Sequence, residues 1–213
     1  YNGYQAGRHY APYCGGNTYD SSRSLCGAGW KTNLDETISY LSAGVGNNDQ
    51  LHEQGYDYVY TDADGTVLYM KKKSTNVYED ELGKGLTLSL VNNQWILTDK
   101  QNNKKVFDSG GKLIEIYSNQ STDKIRLTYD SGGYLTKVTD GAGQEITFGR
   151  NSNHAVTSIT SALGTTTFGF YGANLTSITY PDGEHTYISY YDDGRFRIID
   201  NRDGSSVYYE YPT

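Results

Sequence analysis

Between Tyr129 and Tyr211 one short phrase returns four times, and a chain built on such a phrase has few folds open to it. Its first copy begins Tyr129-Asp130-Ser131-Gly132-Gly133-Tyr134-Leu135-Thr136-Lys137-Val138-Thr139-Asp140-Gly141-Ala142-Gly143. Later copies carry Val156-Thr157-Ser158-Ile159 with Gly164, Leu175-Thr176-Ser177-Ile178 with Gly183, and Phe196-Arg197-Ile198-Ile199 with Gly204. A half-copy, Phe107-Asp108-Ser109-Gly110-Gly111-Lys112-Leu113, lies upstream. The first apolar position runs 113, 135, 156, 175, 196, in steps of 22, 21, 19 and 21. The second-turn glycine runs 143, 164, 183, 204, in steps of 21, 19 and 21, so two landmarks drift together. A period near twenty marks a repeat architecture.

Each unit has a direct physical reading. Asp-x-x-Gly and Asp-Gly supply turns, because Gly accepts positive φ and Asp hydrogen-bonds its own backbone. Between turns lie five to seven residues rich in Thr, Tyr, Val, Ile and Phe, which suit a pleated surface. One repeat is therefore two short strands and two tight turns. The expected fold is all-β: a repetitive antiparallel meander of hairpins forming a long, twisted and curved open sheet. One feature resists strict alternation. Leu135 and Val138 are three apart, as are their equivalents, so a regular strand would send them to opposite faces. Either both faces are partly covered or a bulge sits in that strand, and both readings stand.

Upstream of the repeats the pattern persists. Tyr56–Thr61, a turn at Asp62-Ala63-Asp64-Gly65, and Thr66–Met70 read as a hairpin with Tyr56, Tyr58 and Tyr60 on one face. Residues 85–91 alternate, turn at Asn92-Asn93 and return as Gln94–Thr98. Residues 1–29 form an extended, partly irregular leader, Leu34 to Tyr40 reads as a strand, and 44–55 reads as a polar loop. The expected organisation is a leader and first strand over 1–55, hairpins over 56–106, and repeats over 107–213 continuous with the same sheet. No helix is expected.

The phrase Tyr-Asp-x-x-Gly-x-Leu-Thr-x-Val-Thr-Asp-x-x-Gly resembles the YD repeat of Rhs and wall-associated bacterial proteins, which also occurs in teneurins. The resemblance covers roughly residues 95–211 and rests on the register of five more than on any single copy. Tyr129-Asp130 and Tyr191-Asp192 keep the name-giving dipeptide, Phe107-Asp108 varies it, and Phe148-Gly149 and Tyr171-Gly172 lose the Asp. Gly27-Ala28-Gly29-Trp30 with Leu34 looks like the segment that often precedes such repeats. What the resemblance implies is a partial shell from a bacterial secreted or cell-surface protein, with no enzymatic activity. It would enclose or present a C-terminal effector or toxin, its partner being the remainder of the parent shell.

Composition trims the alternatives. The net charge of −7 and the lack of a basic stripe argue against a nucleic-acid role. No apolar run reaches the length needed to cross a bilayer, so no membrane insertion is expected. The run Lys71-Lys72-Lys73 reads as a solvated loop or strand end. The first residue, Tyr1, suggests a piece of a longer chain. Cys14 and Cys26 lie twelve positions apart, and a disulfide and two free thiols both stay open.

Candidate sites are few, and no cofactor is expected. Asp62-x-Asp64-Gly65 starts like a calcium loop, yet Lys73 stands where the closing carboxylate is needed, so it reads as a turn. His9, His52, His154 and His185 share no ligand spacing, and no nucleophile motif accompanies them. The aromatics carry more. With 22 Tyr against five Phe, exposed rings on a β surface offer a way to hold sugar rings by stacking. Trp30, Trp95, Tyr187, Tyr190, Tyr208 and Tyr209 are the candidates for glycan binding, against the alternative that they form cross-strand ladders. An open sheet would also expose an edge strand able to pair with another copy.

Overall fold

The structure, a computed structural model, describes residues 6–8, 30–119, 123–152, 154–172 and 174–211; the side chains of 6–8, 30 and 31 fall outside that description. Cys14, Cys26 and His9 lie outside the described residues, as does most of the leader. Strands β1 (Ala6–Arg8) and β2 (Trp30–Thr32) form a two-stranded sheet. The main meander begins with β3 (Thr37–Tyr40), then helix α1 (Asn48–Glu53), β4 (Tyr56–Thr61), β5 (Val67–Ser74) and β6 (Val77–Asp80). It continues with β7 (Thr87–Val91), β8 (Gln94–Thr98), β9 (Lys104–Phe107), β10 (Leu113–Tyr117), β11 (Ile125–Tyr129) and β12 (Leu135–Thr139). The last strands are β13 (Glu145–Arg150), β14 (Val156–Ser161), β15 (Gly164–Tyr171), β16 (Asn174–Thr179), β17 (His185–Tyr190), β18 (Phe196–Asp200) and β19 (Ser206–Tyr208). The chain is an all-β antiparallel meander, with strands following in chain order and every defined register antiparallel.

One turn accounts for most of the connections. At Asp62, Asp99, Asp108, Asp130, Asp140, Asn151, Tyr180, Tyr191 and Asn201, the residue's N–H donates to the carbonyl four positions on. The N–H of the residue three positions on donates back to the first residue's carbonyl. This closes a three-residue hairpin loop whose last member needs a left-handed backbone. That member is Gly at seven of the nine sites, with φ between 80° and 88°, and Asn102 or His154 at the others, each at 62°. Aspartate side chains complete the turn from its first position, as Asp130 Oδ1 does for Tyr134 N–H, or from its third, as Asp203 Oδ1 does for Ser205 N–H. The same turn occurs at Asp62 and Asp99, so it begins well before the recognisable repeats.

A bulge resolves the three-residue spacing. Register shifts fall between Leu113 and Glu115, between Val156 and Ser158, between Leu175 and Ser177, and between Phe196 and Ile198. The extra residue is therefore Ile114, Thr157, Thr176 or Arg197, each directly after the first apolar position of its repeat. One unpaired residue restores the parity of the strand, and residues i and i+3 then share a face. Leu175 pairs with Phe170 and Ile178 with Phe168, so all four are on one face of the second unit's sheet. Leu135 and Val138 are both buried.

Two compact units divide the chain beyond residue 30: one comprises Lys31–Thr128 and Val138–Gln144, the other Tyr129–Lys137 and Glu145–Thr213. In the first, Tyr60, Leu68, Met70, Leu88, Phe107 and Leu113 are almost wholly withdrawn from solvent. Burial of such side chains stabilises by about 1.5–3 kcal/mol each. This sheet rolls until β3 touches the β9–β10 turn. Ile38 N–H donates to Gly111 O at 2.8 Å, and Thr37 forms a single bridge with Lys112. The ladder does not continue there, so the sheet stays open. In the second unit Phe148, Val156, Leu175 and Ile188 form the buried apolar face.

Two local expectations need correction or refinement. Residues 44–55, read as a loop, contain α1, a six-residue helix with no buried side chain. It left no apolar stripe in the sequence because it presents none. The lysine run ends strand β5 in the open, where Lys73 pairs with Glu79 of β6.

Candidate functional site

The first unit gathers four aromatic side chains at one place. Tyr40 ends β3, Tyr58 lies on β4, Tyr78 on β6 and Trp95 on β8. Tyr58 sits 4.4 Å from Trp95, 5.1 Å from Tyr78 and 5.4 Å from Tyr40 between ring centroids, all tilted or edge-on. Tilted and edge-to-face pairs suit the ring quadrupole and add to burial. Burial pushes the Tyr78 phenol up to about 12, helped by the Asp57 charge, and raises Tyr58 for the same two reasons. Both phenols therefore remain neutral donors. Trp95 is only 6 % exposed, which removes it from the set of sugar-stacking surfaces and makes it core.

His52 and Asp57 flank this cluster. Asp57 is the extra residue of a bulge in β4, between Tyr56 and Tyr58. The His52 Nδ1 is 2.9 Å from Asp57 Oδ1 and its Nε2 is 2.6 Å from the Leu41 carbonyl. The Tyr40 ring lies 5.4 Å from the imidazole. With both nitrogens committed, neither is left to take a proton from a substrate. Sequence spacing gave no hint of this pairing, since His52 and Leu41 meet only through the loop that carries α1.

A second polar group ties the opposite walls of the roll. The Glu36 carboxylate accepts Lys105 Nζ at 2.7 and 2.8 Å and the Tyr60 hydroxyl at 2.7 Å. The Glu36 side chain is 3 % exposed and that of Lys105 is 32 %. Burial, then the adjacent Glu36, raises the Tyr60 phenol far from any physiological titration. A phenol so held is a poor proton donor or acceptor, and the group functions as an internal tie.

In the second unit the candidate tyrosines separate by face. Tyr187 pairs across the sheet with Ser177 and Asp200, and Tyr208 pairs with Ile198. Ile198 and Asp200 share a face, so Tyr187 and Tyr208 do too. They stand two strands across and two residues along from one another, roughly 12 Å at ordinary strand spacing and rise. Tyr187 is 53 % exposed and Tyr208 71 %. His185 stacks beside Tyr187 and contacts Thr179 Oγ1 at 3.0 Å. Tyr190 belongs to the apolar face instead, stacked on Phe196 with its hydroxyl donated to the Leu175 carbonyl at 2.7 Å. Tyr209 is half-buried, its ring 5.5 Å from Phe196. The Trp30 side chain lies outside the described residues. Thus Tyr187 and Tyr208 keep the character of a stacking surface, and Tyr190 and Tyr209 serve as cross-strand packing.

Asp62-x-Asp64-Gly65 is the β4–β5 turn, with Asp64 Oδ1 accepting Thr66 N–H. Among the described residues no group of three or more His, Cys, Asp or Glu side chains is placed to hold a metal. No described helix is long and apolar enough to cross a membrane.

No protein-family model matches this chain, and no curated protein matches it.

Proposed function

We propose that this chain is a structural segment of a YD-repeat shell from a bacterial secreted or cell-surface protein, a β-sheet that encloses or presents a C-terminal effector. The observation that carries the reading is the recurrence of one turn and one bulge at the repeat period. A sheet assembled from one geometric unit grows by adding copies, and its side chains serve the sheet rather than a reaction. The localisation and the cargo follow from the resemblance of the repeat phrase. The test uses the parent protein with its downstream domain. Enclosure predicts that the downstream domain resists added protease in the intact parent and becomes cleavable when residues 156–174, one repeat, are deleted. Equal cleavage of both proteins would refute it.

A second reading, glycan binding, is favoured by one observation: Tyr187 and Tyr208 are both exposed on one face of the sheet. Binding to cell-wall or host polysaccharide that vanishes in Tyr187→Ala and Tyr208→Ala, with unchanged melting temperature, would establish it. Retention unaltered by both substitutions would exclude that face. The outer edge of β19 offers a further partner surface, a second copy, and a concentration-dependent dimer in sedimentation would reveal it.

A further inference from the structure

We infer that His52 is a pH-operated clasp: its imidazolium fastens the 41–55 segment, with α1, onto β3 and β4, and its neutral form lets that segment come away. The argument starts from the partners. The Leu41 carbonyl can only accept a hydrogen bond, and so can the ionised Asp57 carboxylate. Both ring nitrogens must therefore donate, at 2.6 and 2.9 Å, and only the doubly protonated ring does that. A neutral ring has one N–H and would turn a lone pair toward one of the two oxygens.

Little else holds the helix in place. A helix of six residues is too short to be stable alone, and this one buries no side chain. Asn48 Nδ2 donates to Ser42 O, and Gly44 N–H to Asp49 Oδ1, but these bonds close the segment on itself. Its exit is anchored where Lys72 N–H meets Gly55 O, and its start where Leu41 N–H meets Asp57 O. Between those anchors the His52 ring supplies a hydrogen bond from the segment to Asp57 of β4, and at 20 % exposed it is in exchange with solvent protons.

The charges around it agree. Asp57 of β4 and Asp49 of α1 both favour the cation. Tyr40 and Tyr58 contribute rings, and Tyr78 of β6 donates its hydroxyl to the same Asp57. The hydrogen bonds to Asp57 and then to Leu41 raise His52 above its ordinary 6.5. A raised value means that the clasp contributes fully below the ordinary value and is lost as pH climbs through the folded one. On release, the Tyr40 ring would lose its contact with the imidazole.

The test is amide exchange across 41–55, corrected for the intrinsic effect of pH, with an NMR titration of the histidine rings. Between about pH 5.5 and 8.5, exchange in wild type should rise severalfold, following the His52 ring titration. In His52→Gln, which carries one neutral donor group, exchange should be fast and flat over that range. The β7–β8 hairpin should not respond in either protein. A flat wild-type profile, a His52 ring titrating at or below 6.5, or a step that persists in His52→Gln would each overturn the clasp. Should His52→Gln fold poorly, the wild-type titration and exchange profile decide the matter alone.

Discussion

Gly111 and Gly143 occupy the same position of the same turn, with φ of 81° and 82°, yet alanine should be far costlier at one than the other. A left-handed backbone costs a non-glycine residue about 1–2 kcal/mol, and both substitutions incur it. At Gly143 a Cβ would meet nothing within 4 Å, so the loss should stop there. At Gly111 it would sit 2.7 Å from the Ile38 carbonyl carbon and 3.3 Å from the Ile38 Cα, both backbone atoms of β3. β3 must then retreat, which breaks the Ile38 N–H···O bond to Gly111, worth about 1 kcal/mol net. It also loosens the buried side chains of Ile38 and Leu113, for roughly another 1–2 kcal/mol. The expected totals are about 3–5 kcal/mol for Gly111→Ala and about 1–2 for Gly143→Ala. Urea denaturation followed by tryptophan fluorescence and circular dichroism reads both. Losses equal to within about 0.5 kcal/mol would show that the contact between β3 and the β9–β10 turn is not holding the roll.

Four other outcomes follow from the same geometry. Deleting Thr176 should close its bulge and still leave Leu175 and Ile178 on one face, at a cost of about 1 kcal/mol. Deleting Gly169 sends Phe168 and Phe170 to opposite faces and should cost more than about 3 kcal/mol, measured by thermal melts. Glu36→Gln should destabilise by about 2–3 kcal/mol, and adding Lys105→Met should recover part of that in a double-mutant cycle. Burial alone would raise the Asp80 carboxyl, but the N–H groups of Leu86, Lys84 and Gly85 outweigh it and hold it below the ordinary 3.8. Its contribution should be complete above that value and disappear as pH falls through the lower folded one, a step that Asp80→Asn removes from an acid titration of stability.

The repeat phrase was sufficient for strand class, turn positions and chain-order pairing, because each is settled within a few residues. Asp and Gly fix a turn locally, and two strands joined by a three-residue loop have little choice but to pair. The spacing of Leu135 and Val138 even announced the bulge as one of two options, which only a register could separate. Tyr187 and Tyr208 stood undistinguished beside Tyr190 and Tyr209 in the sequence, and the strand registers separated the exposed pair from the packed one. Trp95 was not: whether an aromatic on a strand faces solvent or core depends on how far the sheet curls, and that is summed over many strands. For the same reason nothing in the chain order foretold that Glu36 meets Lys105 across 69 residues, or that His52 meets Leu41 and Asp57. The sequence by itself determined the unit, its period and its antiparallel meander, through backbone preferences that act within one turn. The tertiary structure alone decided which side chains the rolled sheet encloses and which distant charges it brings together, because those contacts depend on accumulated curvature that no single repeat contains.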